Sequence, residues 1–294
     1  MTEGRIRGRL IRGVGGLYTA ADDTGAEYVL RARGRFRIEG ITPLVGDLVL
    51  FTPGRGEEHG WLEECLPRTS RLVRPPVANI SLLVIVIAAE PSPDLLLVDR
   101  LLVSAGQSGF SALLCVNKCD LDRSLLPRIR KQYALSEISV CGLSALTGEG
   151  IPALRERMEG EICCMAGQSA VGKSTLLNAL CGLRLKTGEL SKIRRGKHTT
   201  RHAELLEAGG LSVLDTPGFS LLKLDGAMEP EALRELYPEF TGSGGCRFSP
   251  CLHDREPDCV VHAAVERGEI DADRYERYRL LLAEVRETWK GRYG

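Results

Sequence analysis

Residues 167–175 read GQSAVGKST, and residues 117–120 read NKCD. In Gly167-x₄-Gly172-Lys173-Ser174 the two glycines let the backbone curl so that its N–H groups and the start of the next helix face an anion. The spacing predicts a phosphate loop built from Gly167, Gln168, Ser169, Ala170, Val171 and Gly172, with Lys173 at the β- and γ-phosphates and Ser174, followed by Thr175, beside a magnesium ion. The context agrees: a strand over 161–166 is expected to enter the loop, and a helix is expected to begin at the lysine.

Asn117-Lys118-x-Asp120 ends a second expected strand, over 112–116. A carboxylate at 120 accepts from guanine N1–H and the 2-amino group. Adenine offers neither donor, so the wrong base leaves that carboxylate unpaired and is rejected. Ser144-Ala145-Leu146 closes a third expected strand, over 136–141, and is similar to the loop whose backbone N–H meets guanine O6. Asp215-Thr216-Pro217-Gly218 ends a hairpin, where Asp215 is expected to hold magnesium through water and the Gly218 N–H to meet the γ-phosphate. Upstream, His198-Thr199-Thr200 lies in a basic polar loop. Ser174, Thr200 and Asp215 are the expected magnesium residues, with adjacent Thr199 as the alternative threonine.

The base readers precede the phosphate loop, the reverse of the usual order in a guanine-nucleotide site. The expected fold is therefore an α/β, circularly permuted P-loop NTPase. A parallel sheet tolerates this, because strands need only their spatial neighbours and surface termini can be relocated. One consequence is mechanical: the segment after Asp215 leads directly into the C-terminal region, so loss of the γ-phosphate is expected to pull on it. Lys173, Thr200 and His198 form the expected catalytic set. Phe219 follows DTPG, where many GTPases carry a water-orienting glutamine, and phenylalanine cannot orient water. His198 is the candidate for that task, with a solvated loop histidine as the alternative. A free rate of about 10⁻⁴ per second and partner activation of about 10⁵, worth roughly 7 kcal/mol of barrier, are expected.

Outward from this centre the 294 residues divide in three. Residues 1–73 show short alternating runs (RIRGRLIR, GLYTA, AEYVLRARGRFR, PLVGDLVLF, WLEECL) punctuated by glycine and proline, which predict a small five-stranded barrel of the oligonucleotide-binding (OB) type. Residues 74–225 alternate strand and helix, as βαβ units around a parallel sheet do. They open on RPPVAN, which reads as a linker because two prolines exclude helix and central strand. The apolar run SLLVIVIAA at 81–89 suits a strand buried on both faces. Residues 226–294 form a mostly helical segment whose last stretch puts Tyr275, Tyr278, Leu282, Val285 and Trp289 on one helical face, packing on its own domain.

Thirty-nine basic residues balance 39 acidic ones, which argues against a uniformly basic nucleic-acid coat and leaves only local patches. The start, MTEGRIRGRLIRG, carries no apolar run, so neither a secretory signal nor a membrane anchor is expected. Ten cysteines in such a chain are core residues or metal ligands. Cys246-x₄-Cys251-x-His253-x₅-Cys259 places three thiols and an imidazole within one short polar stretch, which suits a closed, structural tetrahedral zinc. His262 is a spare candidate for the fourth position. The remaining cysteines, Cys163 and Cys164 among them, are expected to be ordinary core residues.

Over nearly its whole length the chain resembles the RsgA (also called YjeQ) family of circularly permuted bacterial GTPases. The residues that carry the resemblance are FRIEGITPLVGD, LVRPPVANI, NKCD, GQSAVGKSTLLNAL, RGKHTTRHAEL, DTPGF and the cysteine–histidine knuckle. It implies an OB barrel, a central GTPase domain and a C-terminal zinc domain. It further implies docking on the 30S ribosomal subunit and its 16S rRNA late in assembly, with particle-stimulated hydrolysis of GTP to GDP coupled to release of assembly factors. The family pattern gives Lys173 and Ser174 to phosphates and metal, Asn117 and Asp120 to guanine, and Cys246, Cys251, His253 and Cys259 to zinc. Arg31, Arg33, Arg35 and Arg37 recur at period two, so a strand would turn them together toward rRNA phosphates, or form a solvated edge. A cytoplasmic monomer is expected. The competing expectations are an RNA-binding module with GTP as a structural ligand, and a permuted GTPase serving the large subunit.

Overall fold

A computed structural model describes residues 4–54, 56, 58–72, 76–182, 203–215, 224, 228–241 and 245–291. The N-terminal strands are β1 (Ile6–Val14), β2 (Leu17–Asp22), β3 (Glu27–Ala32), β4 (Leu48–Thr52) and β5 (Gly60–Cys65), with a short helix α1 (Gly34–Ile38) between β3 and β4. They close in the order β1-β2-β3-β5-β4 and back to β1, with only β3–β5 parallel. Alternation along the strands sends Leu10, Ala20, Leu30, Val49, Phe51 and Leu62 inward, and Phe36 of α1 joins them in the core.

That contact overturns the arginine stripe. The strand stops at Ala32, and Gly34–Ile38 coils into a helix that buries Phe36. From this helix Phe36 joins the barrel core, a burial worth roughly 1.5–3 kcal/mol. Arg33 instead forks onto Glu63 at 2.6 and 2.8 Å and lies 5.3 Å over the Trp61 ring. The supposed linker differs too. β6 (Arg71–Leu72) pairs with β7 (Val77–Ala78), Val77 bridges Val45, and Asn79 Nδ2 donates to Gly46 O at 3.0 Å. Val77 and Ala78 are fully buried, so their apolar surface holds the stretch after the prolines against the barrel.

The central region contains β8 (Leu82–Ala88), α2 (Leu95–Ser108), β9 (Ser111–Asn117), α3 (Leu125–Gln132), β10 (Ser139–Gly142), α4 (Ile151–Met158), β11 (Ile162–Ala166), α5 (Lys173–Cys181), β12 (Glu204–Ala208) and β13 (Leu211–Asp215). Its sheet runs β10-β9-β8-β11-β13-β12, parallel except for β12. β8 is buried along its whole length. Leu83, Ile85 and Ile87 face the core with α2 and α3, while Leu82, Val84 and Val86 face the one with α4 and α5. β12 also pairs with β1, in register Arg12↔Glu204, and an Arg12–Glu204 ion pair seals the joint.

The C-terminal helices are α6 (Pro230–Glu235), α7 (Pro238–Thr241), α8 (Val260–Glu266) and α9 (Ala272–Lys290). On α9 the expected apolar face is present: Tyr278, Leu282 and Val285 are buried, joined by Leu281. Val103 of α2 belongs to the same core. Among the described residues no helix is long and apolar enough to cross a membrane.

Candidate functional site

The loop after β11 is shaped by glycines at two places where nothing larger fits. Gly167 has φ +136°, and a Cβ there would stand 2.1 Å from the Val86 carbonyl oxygen of β8. Gly172 has φ +95°, and its Cβ would meet Asn117 Nδ2. Ala170 also takes the left-handed conformation, at φ +66°, without being glycine. Lys173 opens α5 and folds back over the loop, donating to Gly167 O at 2.7 Å and Gln168 O at 2.5 Å. Burial lowers its pKa. Ser169, Ala170 and Ser174 are exposed at this face, Thr175 is half-buried, and Val171 is anchored in the core. The curl, the N–H groups at the helix start and the cation together form a cradle for phosphate.

Asn117, at the end of β9, is 2% exposed and joins three segments distant in sequence. Its Nδ2 donates to Val171 O at 2.8 Å, and its Oδ1 accepts from Ala145 N at 3.0 Å. Lys118 spans the gap as well, donating to Glu90 O at 2.7 Å and Ala170 O at 2.9 Å. Ser144 is buried and its Oγ accepts from Thr147 N at 3.1 Å, which turns the loop behind Ala145. Asp120 is exposed beside this assembly. Asp215 closes β13, opposite Glu204 on β12. His198, Thr199, Thr200 and Gly218, with Phe219, lie outside the described residues.

The second cluster lies on the loops around α7 and α8. Cys246, Cys251, His253 and Cys259 bring their ligand atoms within 4.8 Å of one another. His253 Nδ1 stands 3.6, 3.4 and 3.3 Å from the sulfurs of Cys246, Cys251 and Cys259, and Cys259 Sγ is 3.9 Å from each of the other two sulfurs. A tetrahedral zinc at about 2.3 Å from sulfur and 2.1 Å from nitrogen requires S···S near ~3.8 Å and S···N near ~3.6 Å. The donor set fits that ion. Burial pushes the Cys251 thiol up to about 12, so a bound cation is what would keep it a thiolate. His262 is not part of the four and instead meets Tyr275 edge-on at 5.7 Å between ring centroids. Cys163 and Cys164 are fully buried in β11.

Two features went unread in the sequence. The side chain of Gln168 reaches out of the loop to the backbone of 92–94. Asp99 of α2 accepts from Arg274 and Arg277 of α9, and from Tyr133, in a buried ionic set that also includes Glu239. Partners so far apart in sequence leave no local periodicity to detect. Only the charged pair Asp99-Arg100 inside the otherwise apolar LLLVDRLLV marks the place.

A phosphate cradle clamped to a base-reading strand that precedes it in the chain, beside a five-stranded barrel and a Cys₃His knuckle, defines a circularly permuted GTPase. Comparison with known proteins gives the particular family. Residues 65–225 match the RsgA GTPase family and residues 7–62 the RsgA N-terminal domain. The chain is 43% identical to the small ribosomal subunit biogenesis GTPase RsgA of Caldanaerobacter subterraneus subsp. tengcongensis over 296 residues, covering 98% of this chain and 99% of that protein. It is 44% identical to the protein of that name from Moorella thermoacetica over 289 residues, covering 95% and 97%. The crystal structure of YjeQ from Thermotoga maritima aligns with TM-score 0.82 at 34% identity, covering 96% of this chain and 99% of that one. YloQ, described as a circularly permuted GTPase, aligns with TM-score 0.78 at 31% identity, covering 97% and 96%. The chain belongs to the RsgA family of GTPases.

Proposed function

We propose that this GTPase acts late in assembly of the small ribosomal subunit, hydrolysing GTP to GDP and phosphate on the 30S particle and coupling that step to release of assembly factors. The observation that carries the reading is Asn117, whose two hydrogen bonds join NKCD to the phosphate loop and to the Ser144-Ala145 loop. With those three segments fixed, Asp120 and the Ser144-Ala145-Leu146 loop address guanine, while the N–H groups of Gly167–Thr175, Lys173 and Ser174 address the phosphates. Ser174, Asp215 and Thr200, with Thr199 the alternative, would hold magnesium, which would supply charge neutralisation at the β- and γ-phosphates. His198 orients the attacking water in place of a glutamine. Cys246, Cys251, His253 and Cys259 would hold a structural zinc, which would tie the knuckle together without a catalytic role.

The relatives' names support the small-subunit target. On the barrel, Trp61 is 43% exposed with the Arg33 guanidinium over its ring, an aromatic and cationic face suited to unpaired bases of 16S rRNA. The protein works as a cytoplasmic monomer in this reading. Phosphate release by the purified protein, alone and with purified 30S or 50S particles, tests it. Stimulation by 30S alone is expected, up to about 10⁵-fold. Equal stimulation by both particles, or by neither, sinks the assignment.

A further inference from the structure

Gln168 uses its side chain for something the curl of the loop does not require. Its Oε1 accepts from Asp94 N at 2.8 Å, and its Nε2 donates to Ser92 O at 3.2 Å. Asp94 is the N-cap of α2, its own Oδ1 accepting from Leu97 N at 2.9 Å. Lys118 grips the same connection at Glu90 O. The segment 90–94 is therefore held by the base-reading motif at one end and by the phosphate loop at the other, and it delivers directly into α2.

The rest of α2 is fastened to the C-terminal region. Asp99 accepts from Arg274 Nη1 at 2.5 Å and Arg277 Nε at 2.6 Å, with the Asp99 side chain fully buried. From α9, Tyr275 and Tyr278 donate to the carbonyls of His253 and Leu252, inside the cysteine–histidine knuckle. A hydrogen-bonded route thus runs from the phosphate loop through a rigid helix to the knuckle. It is separate from the covalent connection after Asp215.

We propose that Gln168 is a positioning residue that ties the phosphate loop to α2, so that nucleotide occupancy and the seating of α9 and its knuckle on α2 are coupled. Phosphate in the loop fixes the backbone of residue 168, and the amide then fixes the start of α2. At the other end a small displacement matters, because a buried carboxylate parted from its guanidinium partners is strongly disfavoured, so the joint is either seated or not. The coupling is reciprocal: seating α9 tightens nucleotide binding to the same extent. The inference rests on the GTPase reading of this site.

The test uses the full chain with GDP as the probe, and reads both the dissociation rate of fluorescent GDP and amide hydrogen exchange along α9. Gln168→Met keeps side-chain length without a donor or an acceptor. Gln168→Glu keeps an acceptor for the Asp94 N–H. In the unmodified protein, saturating GDP is expected to slow exchange in α9 by roughly fivefold or more, the lower end of ordinary site–site coupling. Gln168→Met is expected to bind GDP without protecting α9 and to release GDP roughly fivefold faster or more, the scale of two lost hydrogen bonds. Gln168→Glu is expected to retain the protection. The proposal is overturned by GDP that binds without changing α9 exchange, by full protection in Gln168→Met, or by equal loss in both variants. Absence of GDP binding in the unmodified protein would remove the nucleotide reading itself.

Discussion

Asn117 Nδ2 lies 2.5 Å from the point that a Cβ would occupy at Gly172. The base-reading motif and the phosphate loop therefore interlock at one residue, and the glycine is required as much by its neighbour as by its own φ of +95°. Gly172→Ala must push Asn117 off Val171 O and strain the backbone. Those two effects cost about 1–3 and 1–2 kcal/mol. Calorimetric titration with GDP is expected to show a loss of affinity in a protein whose circular dichroism is unchanged. Unaltered affinity would mean that the Asn117 contact does not organise the site.

Ala170 predicts a gain instead of a loss. At φ +66° an L-residue carries strain of about 1–2 kcal/mol that glycine lacks, partly offset by the about 0.4–1 kcal/mol of extra freedom glycine has in the unfolded chain. The Ala170 carbonyl accepts from Lys118, and that bond uses the backbone alone, so it survives the substitution. Ala170→Gly is expected to raise the melting temperature by about 1–3 °C with GDP binding retained. A lower melting temperature would contradict the strained geometry.

These two residues mark how far the sequence could be read. Glycine spacing and flanking patterns predicted a loop between a strand and a helix, and the loop does lie between β11 and α5, which starts at Lys173. The run over 81–89 became β8, buried on both faces because its apolar residues are continuous. Period two failed at Arg31–Arg37, where the strand ends at Ala32 and a short helix from Gly34 carries Phe36 into the core. The β10 strand begins at Ser139, three positions later than expected, after a turn in which Glu137 takes a positive φ. Nothing local announces that Asp99 will meet Arg274 and Arg277, since their pairing exists only once α2 and α9 pack.

In the proposed site, base selectivity rests on the exposed carboxylate of Asp120. Asp120→Asn replaces an acceptor pair by an amide that repels the guanine 2-amino group and can donate to the 2-oxo group of xanthine. Competition between GDP and XDP is expected to reverse in favour of XDP, with guanine affinity falling by about 10²-fold or more. Continued preference for GDP would remove Asp120 from the base site.

Metal content separates the four knuckle ligands from the spare histidine. The purified unmodified protein is expected to carry zinc, and Cys251→Ser to lose it and to melt at a lower temperature, because the knuckle core shares Cys251 and Cys259 with α9. His262→Ala is expected to keep the metal, since His262 packs on Tyr275 outside the cluster. Elemental analysis of both variants reads the answer. Zinc lost equally from both would overturn the ligand assignment.

The loop between Cys251 and Cys259 is also built around an anion. Glu256 Oε1 accepts from Leu252 N at 2.9 Å, and its Oε2 accepts from Asp254 N at 2.8 Å and Arg255 N at 3.1 Å. Burial raises its pKa, but the backbone N–H groups outweigh that and hold it down at about 2, against an ordinary 4.5. A folded-state pKa below the unfolded one means that the carboxylate stabilises the fold fully above about pH 4.5 and loses that effect as pH falls toward 2. The side chain is partly exposed, so solvent screening makes the contribution smaller than the shift alone implies. Glu256→Gln leaves one acceptor and turns an amide donor toward the remaining N–H groups. It is expected to be less stable than the unmodified protein by a constant amount from pH 7 to 5, with the gap narrowing below that. Urea unfolding of the pair across this range checks the sign, and a gap that widens as pH falls would show that Glu256 is not bound as a carboxylate.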